Sequence, residues 1–158
     1  MDSADRNDPI LVTDYRRLTR DWAQSVLQLH DAHATVQSVA VTNLHIGTTT
    51  RIRLVVEHNS STIARHWFVK LPSRDWKARI ITALPRLLQT EVRFYQQLAA
   101  LVPMQIPTCL AARSRWGRGA ILVLADLTEQ GGSVGTAADT LELPQAYAAV
   151  VQLARFHA

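Results

Sequence analysis

The chain has 158 residues, 47% of them apolar and 19% charged, with a formal charge of +4 at pH 7. That is enough for one domain with a sizeable core, and the balance is that of an ordinary soluble globular protein. The positive charge is scattered arginine rather than a basic block, no apolar stretch approaches the ~18–20 residues of a bilayer span, and the polar start Met1-Asp2-Ser3-Ala4-Asp5 leads into no signal-peptide core. Nucleic-acid and membrane partners are therefore not expected. The single cysteine, Cys109, excludes an intrachain disulfide framework and fits a reducing, cytoplasmic location.

Residues 1–12 read as a disordered or loosely held lead. Thr13 or Thr19 is placed to cap a first helix running from Asp21 to Leu29, with Trp22, Val26 and Leu29 on one face. Three strands follow. Val36 to Ile46 alternates roughly, through Val36, Val39, Val41, Leu44 and Ile46. Thr50 to His58 sets Ile52, Leu54 and Val56 against Arg51, Arg53 and Val55. After the turn residues Asn59-Ser60-Ser61, Thr62 to Leu71 returns as the third strand, broken by Pro72-Ser73-Arg74.

Pro85 is a favoured first-turn residue for the next helix, in which Leu87, Phe94, Leu98 and Leu101 recur at helical spacing as one buried stripe. A second hairpin runs from Thr108 to Ser114, turns at Arg115-Trp116-Gly117-Arg118-Gly119, and returns from Ala120 to Leu127. Its run Ile121-Leu122-Val123-Leu124 is continuous enough to be buried on both faces. Gly131-Gly132-Ser133-Val134-Gly135 reads as a flexible connector, and Pro144 opens a final helix. The expected architecture is an α+β domain: a five-stranded antiparallel sheet with one helix packed across a face, plus flanking helices at both ends.

Two residues stand out against this frame. The chain has 15 Arg and only two Lys, yet Lys70 closes the run Trp67-Phe68-Val69. A compact ammonium on a flexible stem suits gripping phosphate as a point charge, where Arg would impose a planar fork. Glu91 falls on the expected buried stripe of the helix, and no Lys or Arg lies three or four residues from it on that helix. An inward carboxylate requires a cation, and Lys70 is the best candidate. The alternatives are a Glu at the solvated edge of its helix and a Lys whose stem lies along apolar surface. A buried pair would make Glu91→Ala cost roughly 3–5 kcal/mol, and a solvated Glu91 under about 0.5 kcal/mol.

The stretches Phe68-Val69-Lys70-Leu71-Pro72, Glu91-Val92-Arg93-Phe94-Tyr95-Gln96-Gln97-Leu98, Ile121-Leu122-Val123-Leu124-Ala125-Asp126-Leu127 and Leu153-Ala154-Arg155-Phe156-His157-Ala158 occur in an order that resembles the small lobe of the kinase-like phosphotransferases. The nearest likeness is to the aminoglycoside phosphotransferase, choline kinase and ecdysteroid-kinase-like group. The resemblance implies a kinase-like N-terminal lobe over residues 13–127, a linker over 128–142 and the first helix of a second lobe over 143–158. It implies ATP as cofactor, with Lys70 on the α- and β-phosphates and Glu91 orienting it by an ion pair. Ala125, Asp126 and Leu127 would form a hinge whose backbone faces the adenine. Gly47, Thr48 and Thr49 stand where the family keeps its loop over the phosphates.

Two departures qualify what the resemblance implies. The loop has one glycine where related kinases have several, and β-branched Thr brings backbone N–H groups to phosphate less readily. An ordinary tight turn is the alternative. The chain also contains no His-Gly-Asp, the family's catalytic signature, and no later Asp to hold magnesium. No catalytic residue and no metal ligand is therefore expected in this chain, and turnover from it alone should be negligible. The final helix runs apolar through Tyr147, Val150, Val151, Leu153, Ala154 and Phe156 to the last residue, which reads as truncation and predicts a protein partner or self-association. The expected function is the ATP-binding portion of an enzyme that moves the γ-phosphate to a hydroxyl of an unknown small-molecule acceptor. The alternative is a non-catalytic interaction module. The six histidines and the dispersed Trp22, Trp67, Trp76 and Trp116 suggest no zinc site and no stacking platform, the tryptophans being expected in core or hairpin packing.

Overall fold

A computed structural model describes residues 8–73, 85–116, 119–132 and 139–157. Five strands form one antiparallel sheet: β1 (Val36–Ile46), β2 (Thr49–His58), β3 (His66–Pro72), β4 (Cys109–Arg115) and β5 (Gly119–Ala125). Their order across the sheet is β1-β2-β3-β5-β4, so β5 is inserted between β3 and its own hairpin partner. Helices α1 (Arg20–Leu27), α2 (Pro85–Gln97) and α3 (Leu143–His157) complete an α+β fold. None is long and apolar enough to cross a membrane among the described residues.

The two faces of the sheet carry different layers. On the first, Ile52, Leu54 and Val56 of β2, Trp67, Val69 and Leu71 of β3, and Ile121 and Val123 of β5 pack against Trp22, Ala23, Val26 and Leu27 of α1. Thr19 caps α1 by accepting from the Trp22 N–H, and the Trp22 and Trp67 rings meet edge to face at 6.1 Å. Leu29, expected on the buried face, is exposed because α1 ends at Leu27, and Ala23 and Leu27 take its place. Residues 8–12 are not a loose lead. Ile10 and Val12 are buried in this core, the Ile10 carbonyl accepts from the Trp22 indole at 3.1 Å, and Asp8 pairs with Arg113. Residues 1–7 lie outside the described part.

The second face carries α2 over β4 and β5. Leu88 and Val92 are buried there against Ala112, Ala120, Leu122 and Leu124, with Phe68, Tyr95 and Cys109 packed alongside. This corrects the predicted stripe: Leu87, Leu98 and Leu101 are exposed. Leu87/Phe94/Leu98 and Leu88/Val92/Tyr95 both have helical spacing, so periodicity alone could not choose between them. The small side chains of Ala112 and Ala120 give Leu88 and Val92 a surface to sit on. As the fully apolar run predicted, β5 is buried along both faces from Ala120 to Ala125.

Two further expectations shift. Trp116, assigned to packing, is 93% exposed at the hairpin tip, and Trp76 lies outside the described residues. Gly131 and Gly132 are not a slack connector. Asp126 caps a 3-10 turn over Leu127–Gln130, Gly131 closes it at φ 77°, and the Gly132 N–H returns to the Leu127 carbonyl at 2.9 Å. Glu129 in that turn accepts from the Arg65 and His66 N–H groups, tying it to the start of β3. Arg74, Gly117, Arg118, Ser133 to Gly135 and Ala158 lie outside the described residues.

Candidate functional site

Alternation sends Phe68 and Lys70 of β3 to the face opposite Trp67 and Val69. The antiparallel register then sets Arg51 directly across from Lys70, and Arg53 across from Phe68. On the other side of β3, Lys70 is opposite Leu122 and Phe68 opposite Leu124. Directly opposed residues share a face, so all of these point the same way. In β1, a bulge between Val41 and Asn43 resets the phase, bringing Asn43 opposite Arg53 and His45 opposite Arg51. Two rows result across the sheet: His45-Arg51-Lys70, and Asn43-Arg53-Phe68-Leu124.

Because α2 covers only the β4–β5 side of this face, the rows form the floor of an open cleft of about 500 Å³. Its walls include Glu91 and Tyr95 of α2, Pro107, and Ala125, Asp126 and Leu127. The floor carries the cations Arg51, Arg53 and Lys70, and Phe68, Tyr95, Pro107, Leu124 and Leu127 add apolar surface beside them. A volume of several hundred Å³ falls in the range of small-molecule sites.

Lys70 and Glu91 form an ion pair, Lys70 Nζ donating to Glu91 Oε1. Glu91 reaches it from the border of the Leu88/Val92/Tyr95 face rather than from the middle of the predicted stripe. The side chains are 22% and 34% exposed, so the pair is neither fully buried nor solvated. Glu91→Ala is therefore expected to cost about 1–2 kcal/mol in equilibrium denaturation, below the roughly 3–5 kcal/mol of a buried pair. A loss under about 0.5 kcal/mol would mean that the pair holds nothing in place. An ammonium carries three donors, so two remain for a ligand beside the one directed at Glu91. Burial first, and the Glu91 charge second, push the Tyr95 phenol up to about 12, which keeps the hydroxyl protonated as a hydrogen-bond donor at the cleft wall. Burial likewise pushes the Cys109 thiol up to about 11, leaving it an unreactive packing residue.

At the other end, Asp126 is 6% exposed. Its Oδ1 accepts from the Thr128 N–H and hydroxyl at 3.0 and 2.9 Å, and its Oδ2 pairs with Arg53 Nε at 3.1 Å. The hinge expectation changes accordingly. The Ala125 N–H donates to the Thr108 carbonyl and the Asp126 N–H to the His66 carbonyl, both at 2.8 Å. Both donors are already engaged, although Asp126 is the first residue beyond the two ladders.

Of the residues singled out in sequence, Lys70, Glu91, Ala125, Asp126 and Leu127 line one cleft, whereas Gly47, Thr48 and Thr49 do not line it. The segment is a tight hairpin turn in which the Gly47 N–H is directed at the Thr49 carbonyl at 3.2 Å. Gly47 is not among the positive-φ glycines. Sequence reasoning missed Asn43, His45, Arg51 and Arg53. The alternation in β2 carried the signal for the two arginines, but the bulge hid the phase of Asn43 and His45. Among the described residues no three His, Cys, Asp or Glu side chains gather as a metal site. Comparison with models of protein families, with curated proteins and with solved structures found no match for this chain.

Proposed function

We propose that the cleft binds a nucleotide, with ATP the expected ligand, as the small lobe of a kinase-like small-molecule phosphotransferase would. The observation that carries this reading is the Lys70–Glu91 ion pair joining β3 to α2 at a cleft lined by both cationic and apolar side chains. A strand Lys held by a helix Glu is the device by which kinase folds place a point charge on the nucleotide phosphates. Phe68, Leu124 and Leu127 offer apolar surface to a flat base, and the two remaining Lys70 donors suit phosphate oxygens. The succession of three strands, a helix and two strands also supports the reading.

ATP fits the donors and apolar surface of this cleft; magnesium does not. Its two carboxylates, Glu91 and Asp126, are already paired with Lys70 and Arg53. The sequence also contains no His-Gly-Asp. The reading therefore assigns this chain nucleotide binding, and phosphoryl transfer to a hydroxyl of a small-molecule acceptor only where a catalytic base and metal ligands are supplied in addition.

A second reading is a protein-interaction module. It rests on α3, none of whose described residues is buried and which exposes Leu143, Tyr147, Val150, Leu153 and Phe156. Titration calorimetry with ATP, combined with sedimentation over a range of protein concentrations, separates the two. A saturable ATP isotherm in the micromolar to millimolar range is expected. Indifference to ATP with concentration-dependent self-association would favour the second reading.

A further inference from the structure

We infer that Arg51, assisted by His45, is the second phosphate-binding element of the cleft and takes the outer part of a nucleotide's phosphate chain. This rests on the nucleotide reading and adds residues to it. Three cationic side chains, Arg51, Arg53 and Lys70, line the cleft floor. Lys70 is compensated by Glu91 and Arg53 by Asp126. Arg51 has no acidic partner among the described residues, so the net positive charge of the cleft resides on it.

Register supplies the geometry. Arg51 stands directly across from Lys70, and His45 directly across from Arg51, as one row on the cleft side of the sheet. Side chains so opposed have Cβ atoms about 4.5–5.5 Å apart, close enough for an ammonium and a guanidinium to share one polyanion. A planar guanidinium offers paired donors that match two oxygens of one phosphate, which the Lys70 ammonium cannot do.

The β1–β2 turn leaves this role open. The Gly47 N–H faces the Thr49 carbonyl, and neither Gly47 nor Thr48 lines the cleft. The Gly47 N–H is thus engaged within the turn, and the charge on the adjacent strand is the donor that the cleft does present. Arg51 is exposed, with no packing role that would require an arginine.

The test is titration calorimetry of wild type, Arg51→Gln and Lys70→Met with ADP, AMP and inorganic tripolyphosphate. Arg51→Gln should fold normally, because its side chain is exposed. It is expected to weaken ADP and tripolyphosphate by about tenfold, and AMP by no more than about twofold, since a single phosphate is reached by Lys70. Wild type should bind ADP more tightly than tripolyphosphate, the base adding apolar contact. ADP affinity in Arg51→Gln within about twofold of wild type, while Lys70→Met is weakened, would overturn the role of Arg51 and leave the nucleotide reading standing. Tripolyphosphate bound as tightly as ADP, with loss in Arg51→Gln, would keep the anion site and overturn the nucleotide as its occupant. No binding of any of the three by wild type at millimolar concentration would overturn both.

Discussion

Lys70→Met is expected to weaken nucleotide binding by about 30-fold or more while leaving a folded protein. A charge-assisted hydrogen bond contributes about 1.5–3 kcal/mol, and about 2 kcal/mol corresponds to a factor near 30. Methionine keeps much of the stem length and the apolar contact with the cleft floor, so the loss reports the ammonium rather than a cavity. Glu91 loses its cation in this variant, but at 34% exposure water can reach it. The cost in stability should accordingly stay near 1 kcal/mol. Circular dichroism establishes that the variant is folded, and ADP titration then reads the affinity. Glu91→Gln provides the companion measurement. If Glu91 acts by holding Lys70 in place, its replacement should weaken ADP by less than the loss of Lys70 itself. Lys70→Met binding ADP within about threefold of wild type would place the phosphates elsewhere and remove the main support for the nucleotide reading.

The sheet was largely legible in the sequence because its strands satisfy simple rules. The alternation of Ile52, Leu54 and Val56 set the inward face of β2, and the unbroken apolar run of β5 marked it as buried on both sides. Lys70 and Glu91 were also legible as a pair, since each is out of character for its surroundings. The helix phase was not. Leu87 and Leu88 both begin acceptable apolar stripes, and the choice falls to Ala112 and Ala120 on distant strands, whose small size no local pattern reveals. Glu91 sits next to either stripe, so the ion pair was anticipated from a phase that the fold does not adopt. The cationic row was hidden for a different reason. It exists only across three strands, and the β1 bulge that brings His45 into line with Arg51 leaves a merely irregular alternation in sequence. Residues 8–12 hold only the three-residue apolar run Ile10-Leu11-Val12, too short to announce an element, yet the Trp22 indole fixes the Ile10 carbonyl and holds the segment on the core.

Asp126→Ala is expected to cost about 2–3 kcal/mol, the largest stability loss among the cleft substitutions. Two contributions add. Removing the Oδ1 acceptor uncaps the 3-10 turn and leaves the Thr128 N–H and hydroxyl without their partner, and loss of such a cap costs about 0.5–2 kcal/mol. Removing Oδ2 leaves Arg53 without its anion. Arg53 is 36% exposed and can regain water, so this part is nearer 1 kcal/mol than the several expected of a dry site. Asp126→Asn separates the two, because the amide oxygen can still cap the turn while its NH₂ would face the Arg53 donors. It is expected to lose about 1 kcal/mol, and the remainder should appear only in the alanine variant. If Asp126→Asn matches wild type in urea denaturation, the Arg53 pair contributes nothing and Asp126 is a cap alone. If both variants lose under about 0.5 kcal/mol, the turn is held by Glu129 on β3 instead. The pair also has a consequence for the cleft. Arg53 and Asp126 join the β2 side of the floor to the segment that presents Leu127, so the alanine variant should release that wall. ADP affinity should then fall even under conditions where the protein remains folded, which a purely structural cap at a remote position would not cause.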